Sequence, residues 1–224
     1  IVEVHQETPS NYMSLDKSTM RSLELLEPLY EADGNYSLVD ILDKTKTSMG
    51  ARLLRSWLKR PLKNLQNITK RHDAIEKFVE HKEEIKPIRK ALGNVYDFKR
   101  ICGRIGAGRA NARDLISMKL SLMRIPELKS LLTNVNMQGD KQASELLNEL
   151  YDRIDDFEDV SSLIENALVD EPPITITEGE IIKDGFDEEL DSMKRAIADG
   201  KAWIAGLENT ERERTGIKAL KVGY

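Results

Sequence analysis

A single cysteine, Cys102, leaves the 224-residue chain without an internal disulfide and without a cysteine-based metal site. Its expected place is that of a small buried apolar residue. Aromatic residues are 5% of the chain, and no apolar run approaches the roughly 18 residues that a membrane-spanning helix needs. The first residues also lack the charged-then-apolar layout of a signal peptide, so a reducing, cytoplasmic setting is expected, with no membrane partner. The histidines are His5, His72 and His81; the last two do not share a helical face, which argues against a metal pair. No phosphate-binding loop of the form G-x-x-x-x-G-K-[ST] is present. Gly103-Arg104-Ile105-Gly106-Ala107-Gly108 has glycines but neither the lysine nor a preceding strand, and reads as a helix-terminating turn. Adjacent carboxylates at Asp155-Asp156 and Glu188-Glu189 diverge on a helix and enclose nothing. No catalytic, cofactor-binding or metal-binding residue is therefore assigned.

What the chain has is charge, 33% of residues, together with 40% apolar residues, enough for a sizeable core. That mixture suits amphipathic helices, and a mostly α fold is expected. The net charge of −5 conceals blocks of opposite sign: −7 over 1–43, +14 over 44–129, −15 over 140–191 and +3 over 192–224. Oppositely charged helix faces lying alongside one another account for such blocks, and so does a basic surface for a polyanion.

Proline and glycine punctuate the rest. Residues 1–10 read as an extended junction broken at Pro9. Leu23, Leu25, Leu26 and Leu29 give a helix from Asp16 that ends at Gly34-Asn35. Leu38, Ile41, Leu42, Met49, Leu53, Leu54, Trp57 and Leu58 share helical spacing up to Pro61. Asn64 caps a helix with Leu65, Ile68, Ile75, Phe78 and Val79 on one face, and Pro87 interrupts the next helical run. Asn111 and Asp114 form a capped start for Leu115, Met118 and Leu122, halted near Pro126. After a polar turn from Asn134 to Asp140, Leu146 to Leu168 repeats the helical period through an acidic segment.

A change of texture at Glu171-Pro172-Pro173 places a domain boundary near residue 170, dividing a helical array at 11–169 from a smaller unit at 170–224. Ile174-Thr175-Ile176-Thr177 alternates like a strand, and Gly179 ahead of Ile181-Ile182 offers the turn of a small hairpin. Asp187 caps a long helix with Leu190, Met193, Ile197, Ile204 and Leu207 at heptad-like spacing, stopped by Gly216. Ile217, Leu220, Val222 and Tyr224 then look like the start of a strand with no partner after it, as expected of a piece of a longer protein. Lys218 and Lys221 on that strand, with Arg214 at the preceding helix end, are candidates for phosphate contacts. No array of aromatic residues surrounds them, so base stacking is not expected and such contacts would be backbone-directed and salt-sensitive.

Several ordered motifs resemble the MutS family of DNA mismatch-repair proteins. Met13-Ser14-Leu15-Asp16 with Arg21-Ser22-Leu23-Glu24-Leu25 comes first, then the run from Leu42 to Leu58. Pro61-Leu62, Arg71-His72-Asp73-Ala74-Ile75 and Asn111-Ala112-Arg113-Asp114-Leu115 come next. Asp170-Glu171-Pro172-Pro173, Gly185 to Asp191, Glu211 to Gly216 and Leu220 to Tyr224 complete the order. The resemblance covers about residue 11 to the end. It implies a multi-helical lever and core array with a small α+β clamp segment that touches the backbone of double-stranded DNA without reading sequence. It also implies that ATP and Mg²⁺, dimerisation, mismatch reading through a Phe-x-Glu wedge, and a MutL-type partner belong to other parts of the parent protein. A nucleoid-associated bacterial location goes with it. The clamp insertion argues against the branch of the family that lacks it. The competing reading is a helical scaffold that binds another protein through its charge blocks.

Overall fold

The computed structural model describes residues 11–30, 36–137, 143–217 and 219–221. Among them the chain is helical and has no sheet, only two isolated antiparallel bridges, Tyr12 with Leu62 and Leu168 with Ile182. The helices run α1 (Lys17–Ser22), α2 (Leu38–Leu42), α3 (Ser48–Lys59), α4 (Leu65–Glu80), α5 (Lys82–Leu92), α6 (Phe98–Gly106), α7 (Ala112–Leu122), α8 (Ile125–Met137), α9 (Glu145–Arg153), α10 (Glu158–Ala167) and α11 (Glu188–Thr215). None is long and apolar enough to cross a membrane.

Side-chain caps start most of them. Asp16, Asn64 and Asp187 accept from Thr19 N, Asn67 N and Leu190 N at 2.6, 3.1 and 2.8 Å, each satisfying an orphan amide. Asn111 and Asp114 exchange hydrogen bonds of 2.9 Å in a capping box at the head of α7. Gly216, at φ 70, closes α11 in the left-handed conformation that favours glycine.

Where the apolar period reads as continuous, local chemistry breaks it. The long helix expected from Leu38 to Trp57 is two, because Asp43 accepts from both the amide and the hydroxyl of Thr45 and Thr47 caps α3 afresh. The helix expected from Asp16 through Leu29 stops at Ser22, with Glu24 at φ 47, and Gly34-Asn35 lies outside the described residues. Leu146 to Leu168 is likewise split, at Phe157 with φ 47. Conversely α5 continues through Pro87; the break falls at His81, which ends α4 and starts α5. Apolar spacing on both sides of Pro87, through Ile85, Ile88 and Ala91, keeps α5 packed on α8 despite the lost amide. α8 itself runs to Met137 with Asn136 buried, so the polar turn does not begin at Asn134. Pro126 sits in its first turn, where no amide partner is needed.

Two cores hold the array. Ala74, Ile88, Val135 and Leu147 join α4, α5, α8 and α9, with Phe78, Leu92, Leu131 and Leu146 against them. The buried face of α4 is therefore that of Ala74 and Phe78; Leu65, Ile75 and Val79 are exposed on its other sides. Asn136 ties the same corner by donating to Asn148 Oδ1 at 2.6 Å and accepting from Ser144 N at 2.7 Å, so its burial leaves no unmet amide. Ala112, Ile164 and Leu168 form the second core between α7 and α10, covered by Ile181 and Ile182. Cys102 is exposed, contrary to expectation, because short α6 turns only Ile101 fully inward. The glycine-rich run does end a helix, although Gly103 and Gly106 lie within α6 and the left-handed residue is Gly108.

Candidate nucleic-acid interface

The base of α11 is built from the segment after Pro172-Pro173. Instead of a strand and hairpin, Ile176–Glu178 is a single 3₁₀ turn, because Glu178 accepts from the amide and hydroxyl of Thr175 in a capping box that competes with extended pairing. What remains of the expected pairing is the Leu168 to Ile182 bridge, with Val169 N on Ile181 O at 3.0 Å and Lys183 N on Ala167 O at 2.9 Å. These bonds cross the boundary expected near residue 170, and Arg113 Nε adds one to Pro172 O at 2.9 Å. Lys194 Nζ then bonds Ile182 O at 3.1 Å and Asp184 Oδ1 at 2.8 Å, while Asp191 Oδ2 accepts from Gly185 N at 2.7 Å. Pairing lowers the Asp184 carboxyl and raises the Lys194 ammonium relative to their ordinary values. The first two turns of α11 are thus fastened to the array.

Among the described residues α11 buries nothing fully, and Met193, Ile197 and Trp203 are exposed. At its far end Gly216 reverses the chain, and Arg212 Nε donates to Leu220 O at 2.9 Å, folding the tail back beside the helix. Ile217 and Leu220, expected to start a strand, lie in a turn in which Leu220 N bonds Ile217 O at 3.2 Å, while Val222 and Tyr224 lie outside the described residues. Arg214 and Lys221 consequently share one end of α11, both exposed to solvent. Lys218 lies outside the described residues. Arg214 pairs with Glu211 at 2.7 Å, which raises the pKa of the guanidinium, yet its side chain is 71% exposed. Arg212, the clasp that sets this geometry, is not among the residues that the sequence singles out. Its position four residues after Glu208, with which it pairs, is the available signal.

The charge blocks meet across helix interfaces. Lys70 on α4 reaches Glu145 and Glu149 on α9 at 2.7 and 2.9 Å, buried Lys119 on α7 pairs with Glu165 on α10, and Lys129 on α8 approaches Asp156 at 3.5 Å. Lys119 lies closest to Glu165 and, with Lys183, holds its carboxyl below the usual range.

Residues 18–220 match the family described as MutS domain III. The chain belongs to the MutS domain III family. Its curated relatives include the DNA mismatch repair protein MutS of Symbiobacterium thermophilum, 46% identical over 216 residues that make up 96% of this chain and 24% of that protein. The namesake of Acetivibrio thermocellus is 46% identical over 214 residues, 95% of this chain and 24% of its own length. That of Halalkalibacterium halodurans is 41% identical over 221 residues, 99% and 25%. The chain therefore spans about a quarter of the length of these relatives. MutS domain III is not the family's ATPase domain, and it is a helical domain, in accord with the array and arm of this structure.

Proposed function

We propose that this MutS domain III works as a lever that carries a DNA-backbone contact. In this reading residues 11–169 are the lever array, and 170–224 are a partial clamp borne on α11. The observation that carries it is a helix held at one end only: fastened through Asp191 and Lys194, it presents Arg214 and Lys221 about 30–35 Å away at 1.5 Å per residue. A backbone ladder without a proline transmits a displacement at its base to its tip. In the whole protein, ATP and Mg²⁺ at an ATPase outside this domain would move the base. Dimerisation, a MutL-type partner and a nucleoid-associated cytoplasmic setting belong to that same reading.

Arg214, Lys218 and Lys221 are assigned phosphate contacts. Three contacts contribute about −2.7 to the salt slope at roughly −0.9 per phosphate, and the arm's affinity falls in the non-specific range of about 10⁻⁴ to 10⁻⁶ M. Phosphate contacts carry no sequence information, so mismatched and paired duplexes should bind alike. Fluorescence anisotropy over a salt series tests this with Lys218→Ala/Lys221→Ala. The slope should become shallower by about 1.8; binding indifferent to salt and to the substitutions would place the contact elsewhere.

A further inference from the structure

The pairing of charge blocks is incomplete, and several of the cations it leaves over gather in one groove. A groove between α5 and the loop before α3 is lined by Lys46, Lys82, Ile85, Lys86, Arg89 and Lys90, with Gly93 and Asn94 at its end and no carboxylate in its lining. Lys82, Lys86, Arg89 and Lys90 stand at i, i+4, i+7 and i+8, which places them on one face of α5. The opposite face is the buried one, carrying Ile88 and Ala91 into contact with α8. Lys46, Lys82, Lys86 and Lys90 are all exposed, and none has an ion-pair partner among the described residues, unlike Lys70, Lys119 and Lys129. The carboxylates of the same helix point elsewhere: Glu83 approaches His81 Nδ1 at 3.5 Å, and Glu84 does not line the groove. Arg89 is held in place by donating to Lys44 O at 2.8 Å, which fixes the loop that brings Lys46 over the groove.

Like charges four residues apart oppose the helix that carries them, and a bound polyanion relieves that repulsion. We propose that this groove is a second surface for the phosphate backbone of duplex DNA, on the array instead of the arm. The chemistry selects the occupant. An interface for an acidic protein would be expected to have an apolar centre and few lysines, whereas Ile85 is the groove's one apolar side chain among four lysines. Interfaces with nucleic acid are more polar and far more positive. The absence of aromatic residues from the lining removes base stacking, and lysine ammoniums act as point charges without a preferred base edge, so recognition is of backbone alone. Lys82 and Lys90 lie about 12 Å apart along α5, a length over which a duplex carries about seven phosphates, enough to face every lysine at once.

The inference extends the duplex reading of the arm to a different element, and the test separates the two. Anisotropy of a short labelled duplex is measured over a salt series for the full chain, for Lys82→Ala/Lys86→Ala/Lys90→Ala, for Lys218→Ala/Lys221→Ala, and for the exposed α1 control Lys17→Ala. The α5 substitution should make the salt slope shallower by about 2.7, and the control should leave it unchanged. Alanine favours the helix at these exposed sites, and the helical circular dichroism and melting temperature of each variant check that folding persists. A slope unaltered by the α5 substitutions overturns the proposal whatever the arm variant does. So does a groove that takes poly-glutamate in competition experiments while leaving duplex binding untouched, which would assign it to an acidic protein. An unaltered slope in Lys218→Ala/Lys221→Ala alone would remove the arm contact and leave the groove standing.

Discussion

The helical array and the α11 arm are made from similar residues but are held together in different ways. In the array no helix exceeds 16 residues, and α4, α5, α8 and α9 share the interior around Val135 and Leu147. α11 runs for 28 residues with exposed apolar side chains and no fully buried residue among those described. The array is therefore stabilised by tertiary burial, whereas the arm rests on its caps, its backbone ladder and the fastening at its base. Spacing alone does not distinguish them, since Leu190, Met193 and Ile197 on the arm are as periodic as Ile85, Ile88 and Leu92 in the array. What differs is whether another helix meets the face.

A matched pair of truncations should separate the two regions by the widest margin. Leu147→Ala, at 3% exposure, should lower the stability of the array by about 2–5 kcal/mol in denaturant unfolding. Ile197→Ala, at 61% exposure, should stay within about 0.5 kcal/mol. Equal losses would mean that the arm has a core of its own.

A second difference appears in acid. Asp97 caps α6 and takes a two-pronged contact from Arg52 on α3 at 2.6 and 2.7 Å, which holds its carboxyl down at about 2. With the folded value depressed, its contribution is complete above the ordinary value of 3.8 and is lost as pH falls through about 2. Asp97→Asn should lower the melting temperature at neutral pH and flatten the acid limb between pH 4 and about 2 relative to the unsubstituted chain. An unchanged acid limb would show that this joint does not contribute.

Smaller effects sharpen the picture of the arm. Asp187→Ala removes the cap on Leu190 N and should cost about 1 kcal/mol of helix stability, read as lost helical circular dichroism on heating. Gly200→Ala and Gly206→Ala should each add about 0.4–1 kcal/mol, because both lie inside α11 and a Cβ at either meets nothing within 4 Å. A loss of stability from either glycine substitution would reveal a packing partner for the arm.

Much of the architecture is legible in the sequence because it rests on local signals. Asp16, Asn64, Asn111 with Asp114, Asp187 and Gly216 act within four residues of themselves, and each marks the helix end that its chemistry predicts. The failures lie where a short-range side-chain bond competes with a longer pattern. Asp43 with Thr45 cuts one helix into two, and Thr175 with Glu178 turns an apparently alternating segment into a 3₁₀ turn. Pro87 misleads in the opposite sense, because packing on α8 holds α5 through it. Of the candidate contact residues, Arg214 and Lys221 come together through Arg212 on Leu220 O, a bond between residues eight apart that no periodicity encodes. The α5 lysines are visible in the sequence only as members of a basic block. It takes the pairing of Lys70, Lys119 and Lys129 with the acidic helices to show which cations remain uncompensated.

Whether α11 is a bare arm joined to the array through its first two turns is read out by native-state hydrogen exchange followed by mass spectrometry. Backbone amides around Val135 and Leu147 should exchange only through global opening, while those from 201 to 213 should exchange through local fraying at far lower free energy. Lys194→Ala should deepen that contrast by loosening the base, leaving the protection near Val135 unchanged. Protection over 201–213 equal to that around Val135 would contradict a bare arm, since it would require α11 to be packed along its length.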